Sequence, residues 1–164
     1  MQKETCPTPK LTMKNIKTKK LLSASKDSFG AGFVTSSADE TRKLGRFLAK
    51  ELRGGAIICL SGDLGSGKTT FVQGFLKGLG TKGPYTSPTF LIMKKYGENV
   101  FHFDTYRVEA DDVMNLGWEE IVANNENIVI IEWAEKIKKI IPSDAAWLKF
   151  EWVDEDKRKI ICNF

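Results

Sequence analysis

The junction between residues 56–61 and 62–71 constrains this chain most. AIICLS carries no charge and runs straight into GDLGSGKTTF. A continuous apolar run of that length suits a strand buried on both faces. The spacing Gly62-x-x-x-x-Gly67-Lys68-Thr69 is that of a phosphate-binding loop. Phe71, Val72, Phe75, Leu76 and Leu79 then recur at helical spacing until Gly80. A buried strand feeding a glycine-rich turn and a helix points to an α/β fold.

The chemistry of such a loop is local. Glycines let the backbone turn inward, so that N–H groups face phosphate oxygens, and the helix N-terminus adds a positive dipole end. Here Asp63, Leu64, Gly65, Ser66, Gly67, Lys68, Thr69 and Thr70 are the candidates for that cradle. Lys68 is expected to reach the β- and γ-phosphates, and Thr69 to place its hydroxyl on Mg2+. Magnesium also needs a carboxylate, usually at the end of a neighbouring buried strand. IVIIE offers Glu132, although aspartate is commoner there; Glu132 could instead be a helix N-terminal charge beside Trp133. FHFD offers Asp104, which could orient an attacking water, hold a metal-bound one, or simply cap a turn. His102 shares a strand face with Asp104 by alternation and reads as a supporting residue. The guanine-reading pattern Asn-Lys-x-Asp is absent, which favours ATP over GTP.

The remaining pattern completes one domain over 31–164. GFVT is a short strand, and Ser36 or Ser37 caps a helix with Asp39 and Glu40 in its first turn. Thr41, Leu44, Phe47, Leu48 and Leu52 continue that helix to Gly54-Gly55. TSPTF (86–90) is a loop by its proline. LIMKKY (91–96) and VFHFD (100–104) form a hairpin across Gly97-Glu98-Asn99. A helical region follows over about 111–123, then the strand ENIVIIEW (126–133), then the helical pattern AEKIKKII ending before Pro142. WLKFEWV (147–153) and KIICNF (159–164) are joined at Asp154-Glu155-Asp156. A βαβ start with later hairpins predicts a P-loop NTPase-like mixed sheet, parallel at its centre and flanked by helices.

Charge separates the two ends. The net charge of +4 is misleading, because residues 1–30 hold seven lysines against Glu4 and Asp27. That stretch reads as a flexible basic extension, with a targeting peptide or a charge-driven RNA tether as alternatives, while the remaining residues carry about −1 and offer no basic surface for gripping nucleic acid unaided. Cys6, Cys59 and Cys162 form no CxxC pair, so neither a disulfide framework nor a zinc site is indicated. No apolar run reaches the length of a membrane span. A cytoplasmic protein without membrane contact is expected.

In order along the chain stand GDLGSGKTTF, SPTF, HFDTYR, LGWEEI and IIEW. This set resembles the TsaE family, the P-loop ATPases of bacterial tRNA threonylcarbamoyladenosine biosynthesis, over about residues 33–164. Ser66 stands where the family often has alanine and Thr105 where it often has leucine; the basic extension is not explained by the resemblance. The resemblance implies a cytoplasmic ATPase using ATP and Mg2+, with TsaB and TsaD as partners. TsaD transfers the threonylcarbamoyl group to the adenosine beside the anticodon, and the ATPase resets that machinery, meeting tRNA only through the complex. It also implies Lys68 at the phosphates, Thr69 and Glu132 at magnesium, and Asp104 in hydrolysis. Ser87, Pro88, Thr89 and Phe90 are implied as a switch loop, and Trp133, Thr41 and Arg158 as residues near the nucleotide. Two other readings fit the loop: a small-molecule kinase, or a nucleotide-regulated protein-binding module. The chain looks short of a lid or acceptor domain, so no small-molecule acceptor is expected.

Overall fold

The computed structural model describes residues 32–52 and 54–163. The basic stretch 1–30, with Cys6, lies outside them. The elements in order are β1 (Gly32–Thr35), α1 (Ala38–Glu51), β2 (Ala56–Ser61), α2 (Lys68–Gly78), β3 (Met93–Tyr96), β4 (Val100–Asp104), α3 (Ala110–Met114), α4 (Trp118–Ala123), β5 (Ile128–Glu132), a 3₁₀ run (Ala134–Ile140), β6 (Ala146–Trp152) and β7 (Arg158–Asn163).

The strands make one seven-stranded sheet in the order β1-β7-β6-β2-β5-β4-β3. β2 pairs in parallel with both β5 and β6, and β5 in parallel with β4. The hairpin partners β3–β4 and β6–β7, and the pair β1–β7, are antiparallel. This is the expected mixed sheet. The apolar runs of β2 and β5 are explained by its two cores. Leu60, Ile130, Leu148 and Phe150 bury one face under α1 and α2 with Phe71 and Phe75. Cys59, Phe103, Val129 and Ile131 bury the other with Val113, Trp118 and Ile137. Because β2, β4 and β5 run parallel, their carboxyl ends meet along one edge, where ligands of open α/β sheets bind.

Side chains at its start explain where α1 begins. Ser37 caps α1, its hydroxyl accepting from the Glu40 N–H at 3.1 Å, while the Glu40 carboxylate accepts from the Ser36 N–H at 2.8 Å. α1 and α2 approach closely because glycines face the crossing. A Cβ at Gly74 would stand 2.0 Å from the Arg42 carbonyl oxygen, and one at Gly45 would stand 2.3 Å from that of Phe71.

Three local expectations are corrected. The strand expected over 91–96 begins only at Met93, because Leu91 and Ile92 turn back to hydrogen-bond the Pro88 carbonyl, each at 2.8 Å, and Ile92 has φ 64°. The helical region expected over 111–123 is two short helices, broken where Gly117 takes φ 80°. Trp118 then anchors the second, its ring edge-on to Phe103 and its Nε1 donating to the Ile140 carbonyl at 3.0 Å. The expected strand 126–133 spans only Ile128–Glu132, since Trp133 leaves it at φ 61°. AEKIKKI is helical as expected and ends before Pro142, but its helix is of the 3₁₀ kind and is interrupted at Ile137.

Candidate functional site

The site is built where β2 hands over to α2. Gly62 has φ 130°, and a Cβ there would meet the Phe150 carbonyl oxygen at 2.2 Å, so no other residue fits the start of the turn. Gly65 and Gly67 also take positive φ, and the helix begins at Lys68. The loop therefore ends with its N–H groups directed outward from a helix N-terminus, an arrangement that attracts anions.

The turn opens onto a cavity of about 590 Å³. Its floor is the loop from Leu64 through Thr70; Ser87, Thr89, Asp104, Glu132 and Trp133 form one wall, and Thr41 and Arg158 lie at another. The sequence expectation thus places most of its candidates together. Asp63 is present through its backbone, its carbonyl accepting from Lys68 at 2.8 Å. Pro88 and Phe90 do not line the cavity. The Phe90 side chain is 85% exposed, and the Arg107 guanidinium lies 5.1 Å from its ring centroid.

Glu132 is 1% exposed at the end of β5, with two partners. The Thr69 hydroxyl donates to its Oε2 at 2.6 Å. The His102 Nε2 lies 2.9 Å from its Oε1. Asp104 sits opposite Glu132 in the β4–β5 register, so both carboxylates reach the same face at the same sheet edge. Asp104 Oδ2 accepts from Ser87 at 2.5 Å and Thr89 at 2.6 Å, and its Oδ1 accepts from the Tyr106 N–H at 3.0 Å. Asp104 therefore fastens the SPTF segment to the sheet.

Lys68 is buried and turned onto its own loop. Its ammonium donates to the carbonyls of Gly62 at 2.6 Å and Asp63 at 2.8 Å, and to Ser66 Oγ at 3.3 Å. It also stands 3.8 Å from the centroid of the Trp133 ring, a placement made possible by the left-handed backbone of that residue. Burial pulls the ammonium below the usual lysine range, and the carboxylates of Glu132, Glu135, Asp63 and Asp104 oppose that shift.

The donors around Thr69 are hard oxygens: a hydroxyl and a carboxylate at one end of the loop. No group of three or more His, Cys, Asp or Glu side chains placed to hold a metal ion by themselves occurs among the described residues. That donor set fits Mg2+, which usually takes one or two protein oxygens and completes its shell with phosphate and water. Thr41 and Arg158 are placed less directly. The Thr41 hydroxyl pairs with that of Thr35 at 2.8 Å and donates to the Ser37 carbonyl at 3.2 Å. Arg158 Nε donates to the Gly65 carbonyl at 3.3 Å, and its NH1 holds the carbonyls of Asp154, Glu155 and Lys157. The β6–β7 turn is thereby tied to the loop. Ala38, Tyr106, Glu155 and Asp156 also line the cavity and were not singled out from sequence. Tyr106 follows Asp104 within the HFDTYR motif, which was the available signal; Glu155 and Asp156 read only as turn residues.

Comparison with known proteins bears on this geometry. The family model described as "Threonylcarbamoyl adenosine biosynthesis protein TsaE" matches residues 35–160. The chain is 35% identical over 129 residues to the tRNA threonylcarbamoyladenosine biosynthesis protein TsaE of Bacillus subtilis, covering 77% of this chain and 80% of that one. It is 38% identical over 132 residues to the protein of the same name from Aquifex aeolicus, covering 77% and 91%. Among solved structures it resembles that of YdiB from Bacillus subtilis, with a TM-score of 0.67 and 28% identity, covering 83% of this chain and 86% of that one.

Proposed function

The chain belongs to the TsaE family, whose role is in tRNA threonylcarbamoyladenosine biosynthesis, and we propose that it serves that pathway as a Mg2+-dependent ATPase acting with TsaB and TsaD. The observation that carries the chemistry is the Thr69–Glu132 contact at 2.6 Å, at a helix N-terminus beside Lys68 and within the same cavity as Asp104.

In this reading the N–H groups of the loop and of the first turn of α2 bind the phosphate chain. The Lys68 ammonium leaves its loop carbonyls for the β- and γ-phosphate oxygens. Thr69 and Glu132 would hold Mg2+, which supplies charge neutralisation on the phosphates. Asp104, facing the same edge, orients the attacking water. The nucleoside lies toward Thr41 and the β6–β7 turn held by Arg158. Ser87 and Thr89 are hydroxyls bound to Asp104 and adjacent to the phosphate end of the cavity. Exchange of those bonds when a γ-phosphate arrives couples nucleotide state, through the buried Pro88, to the exposed Phe90, and so to partner binding. Hydrolysis then resets the TsaB–TsaD machinery, which alone meets tRNA. No helix of the described residues is long and apolar enough to cross a membrane; the proposed site of action is the cytoplasm.

The test is phosphate release from Mg2+-ATP by the protein alone and with TsaB, TsaD and substrate tRNA. A slow basal rate raised by the partners, and lost in Lys68→Ala and Glu132→Ala, is expected. Equal rates with and without the partners would remove the coupling, and turnover only after a small-molecule hydroxyl is supplied would return the kinase reading.

A further inference from the structure

We propose that His102 is a positioning residue for Glu132, fixing the carboxylate so that Oε2 alone is offered to Thr69 and the metal. This rests on the proposed function above.

His102 lies within β4, 1% exposed, on the same sheet face as Asp104. In the β4–β5 register it stands opposite Ile130, and Glu132 opposite Asp104. The imidazole therefore reaches along the neighbouring strand to Glu132 Oε1, at 2.9 Å. A carboxylate oxygen accepts, so Nε2 carries the hydrogen. In the neutral ring, Nδ1 is then an acceptor, and it is buried without a partner. Leaving a buried acceptor unsatisfied is destabilising. For packing alone an apolar ring would fill this position without that cost, as Phe101 and Phe103 do on the opposite face. What the imidazole adds is a donor to Oε1.

Two donors, one on each oxygen, stop the carboxylate from rotating about its terminal bond. They differ in permanence. The Thr69 hydroxyl must reorganise when its oxygen turns to a cation, whereas the His102 contact comes from the strand and need not change. Hydrogen-bond partners of metal-holding groups are typically worth about 10–100-fold in metal affinity or activity.

The experiment is a Mg2+ titration of binding of a fluorescent ATP analogue, alongside thermal melts, for the unaltered protein and for His102→Gln, His102→Asn and His102→Ala. The glutamine amide nitrogen stands about where Nε2 does along the side chain, whereas that of asparagine stops short. His102→Gln should keep the half-saturating Mg2+ concentration within about threefold of the unaltered protein. His102→Asn and His102→Ala should raise it by about tenfold or more, with nucleotide affinity in EDTA unchanged. Unchanged Mg2+ dependence in His102→Ala, or equal loss in His102→Gln and His102→Asn, would overturn the inference. Absence of Mg2+-dependent nucleotide binding in the unaltered protein would remove the proposed function, and this inference with it.

Discussion

Replacing Gly74 by alanine sets two known effects against each other. Alanine is favoured over glycine within a helix by about 1 kcal/mol. The added Cβ, however, would stand 2.0 Å from the Arg42 carbonyl oxygen and 2.6 Å from its carbon. An ordinary carbon–oxygen contact is about 3.3 Å, so α1 and α2 must part by about 1.3 Å. The obstacle is backbone, which cannot rotate aside. Gaps of only about 0.5–1 Å already forfeit about a quarter to a half of the dispersion attraction at each contact, and overpacking strain is about 1–3 kcal/mol. The upper end applies here, leaving a net loss of about 2 kcal/mol after the helical gain. In a domain of this size that lowers the melting temperature by about 4–8 °C. Thermal melts and urea titrations read it directly. Gly45→Ala meets the same crossing from the other helix, at 2.3 Å from the Phe71 carbonyl oxygen. The double variant should lose less than the sum, since one separation relieves both clashes. A melting temperature unchanged or raised in Gly74→Ala would refute the reasoning, by showing that propensity outweighs the crossing.

Asp104→Ala removes the acceptor for Ser87, Thr89 and the Tyr106 N–H; amide exchange across 86–91 should accelerate by about tenfold or more, since bonds to a charged acceptor contribute about 1.5–3 kcal/mol each, and unchanged exchange would deny the fastening role. Arg158→Ala frees the β6–β7 turn from the Gly65 carbonyl; nucleotide affinity should fall about three- to tenfold, the worth of one ordinary hydrogen bond of about 0.5–1.5 kcal/mol, and equal affinity in equilibrium binding would place Arg158 outside the function. Burial pushes the Cys59 thiol up to about 12, with the Glu135 carboxylate adding to the shift, and burial does the same for Cys162, against an ordinary value of 9.0. The folded chain therefore holds more protons than the unfolded chain between those values, so this contribution is intact below pH 9 and is lost as pH rises toward 12. Urea midpoints should decline across that window, and in Cys6→Ser protein the two thiols should react with a disulfide reagent far more slowly when folded than in urea; equal rates would contradict their burial.

The parts read most accurately from sequence were those whose physics is local. AIICLS and IVIIE form the paired central strands, the glycine spacing forms the turn, and alternation puts His102 and Asp104 on one face. Lys68, Thr69, Asp104 and Glu132 consequently gather at one cavity. Misread segments were those where a single residue takes a left-handed backbone. Ile92 shortened a strand and Trp133 ended another, and neither is a residue type that announces positive φ. Gly117, which does, was hidden inside a helical pattern. Other contacts between distant segments were not legible. Neither the His102–Glu132 pair nor the ties from Arg158 to Gly65 can be read from spacing, because each needs the sheet register first.

The self-satisfied Lys68 has a consequence for selectivity by phosphate number. An ammonium already coordinated by two carbonyls, a hydroxyl and an indole face has no open valence for an arriving anion. Any ligand acts as a competitor for it, and success depends on how many negative oxygens arrive together. A monophosphate offers one phosphate to the helix terminus and little incentive for the lysine to swing. A triphosphate offers several acceptors within reach at once. On the proposed nucleotide-binding function, the resting loop would then work as a threshold, ranking ligands by the length of their phosphate chain before the base or the metal is consulted.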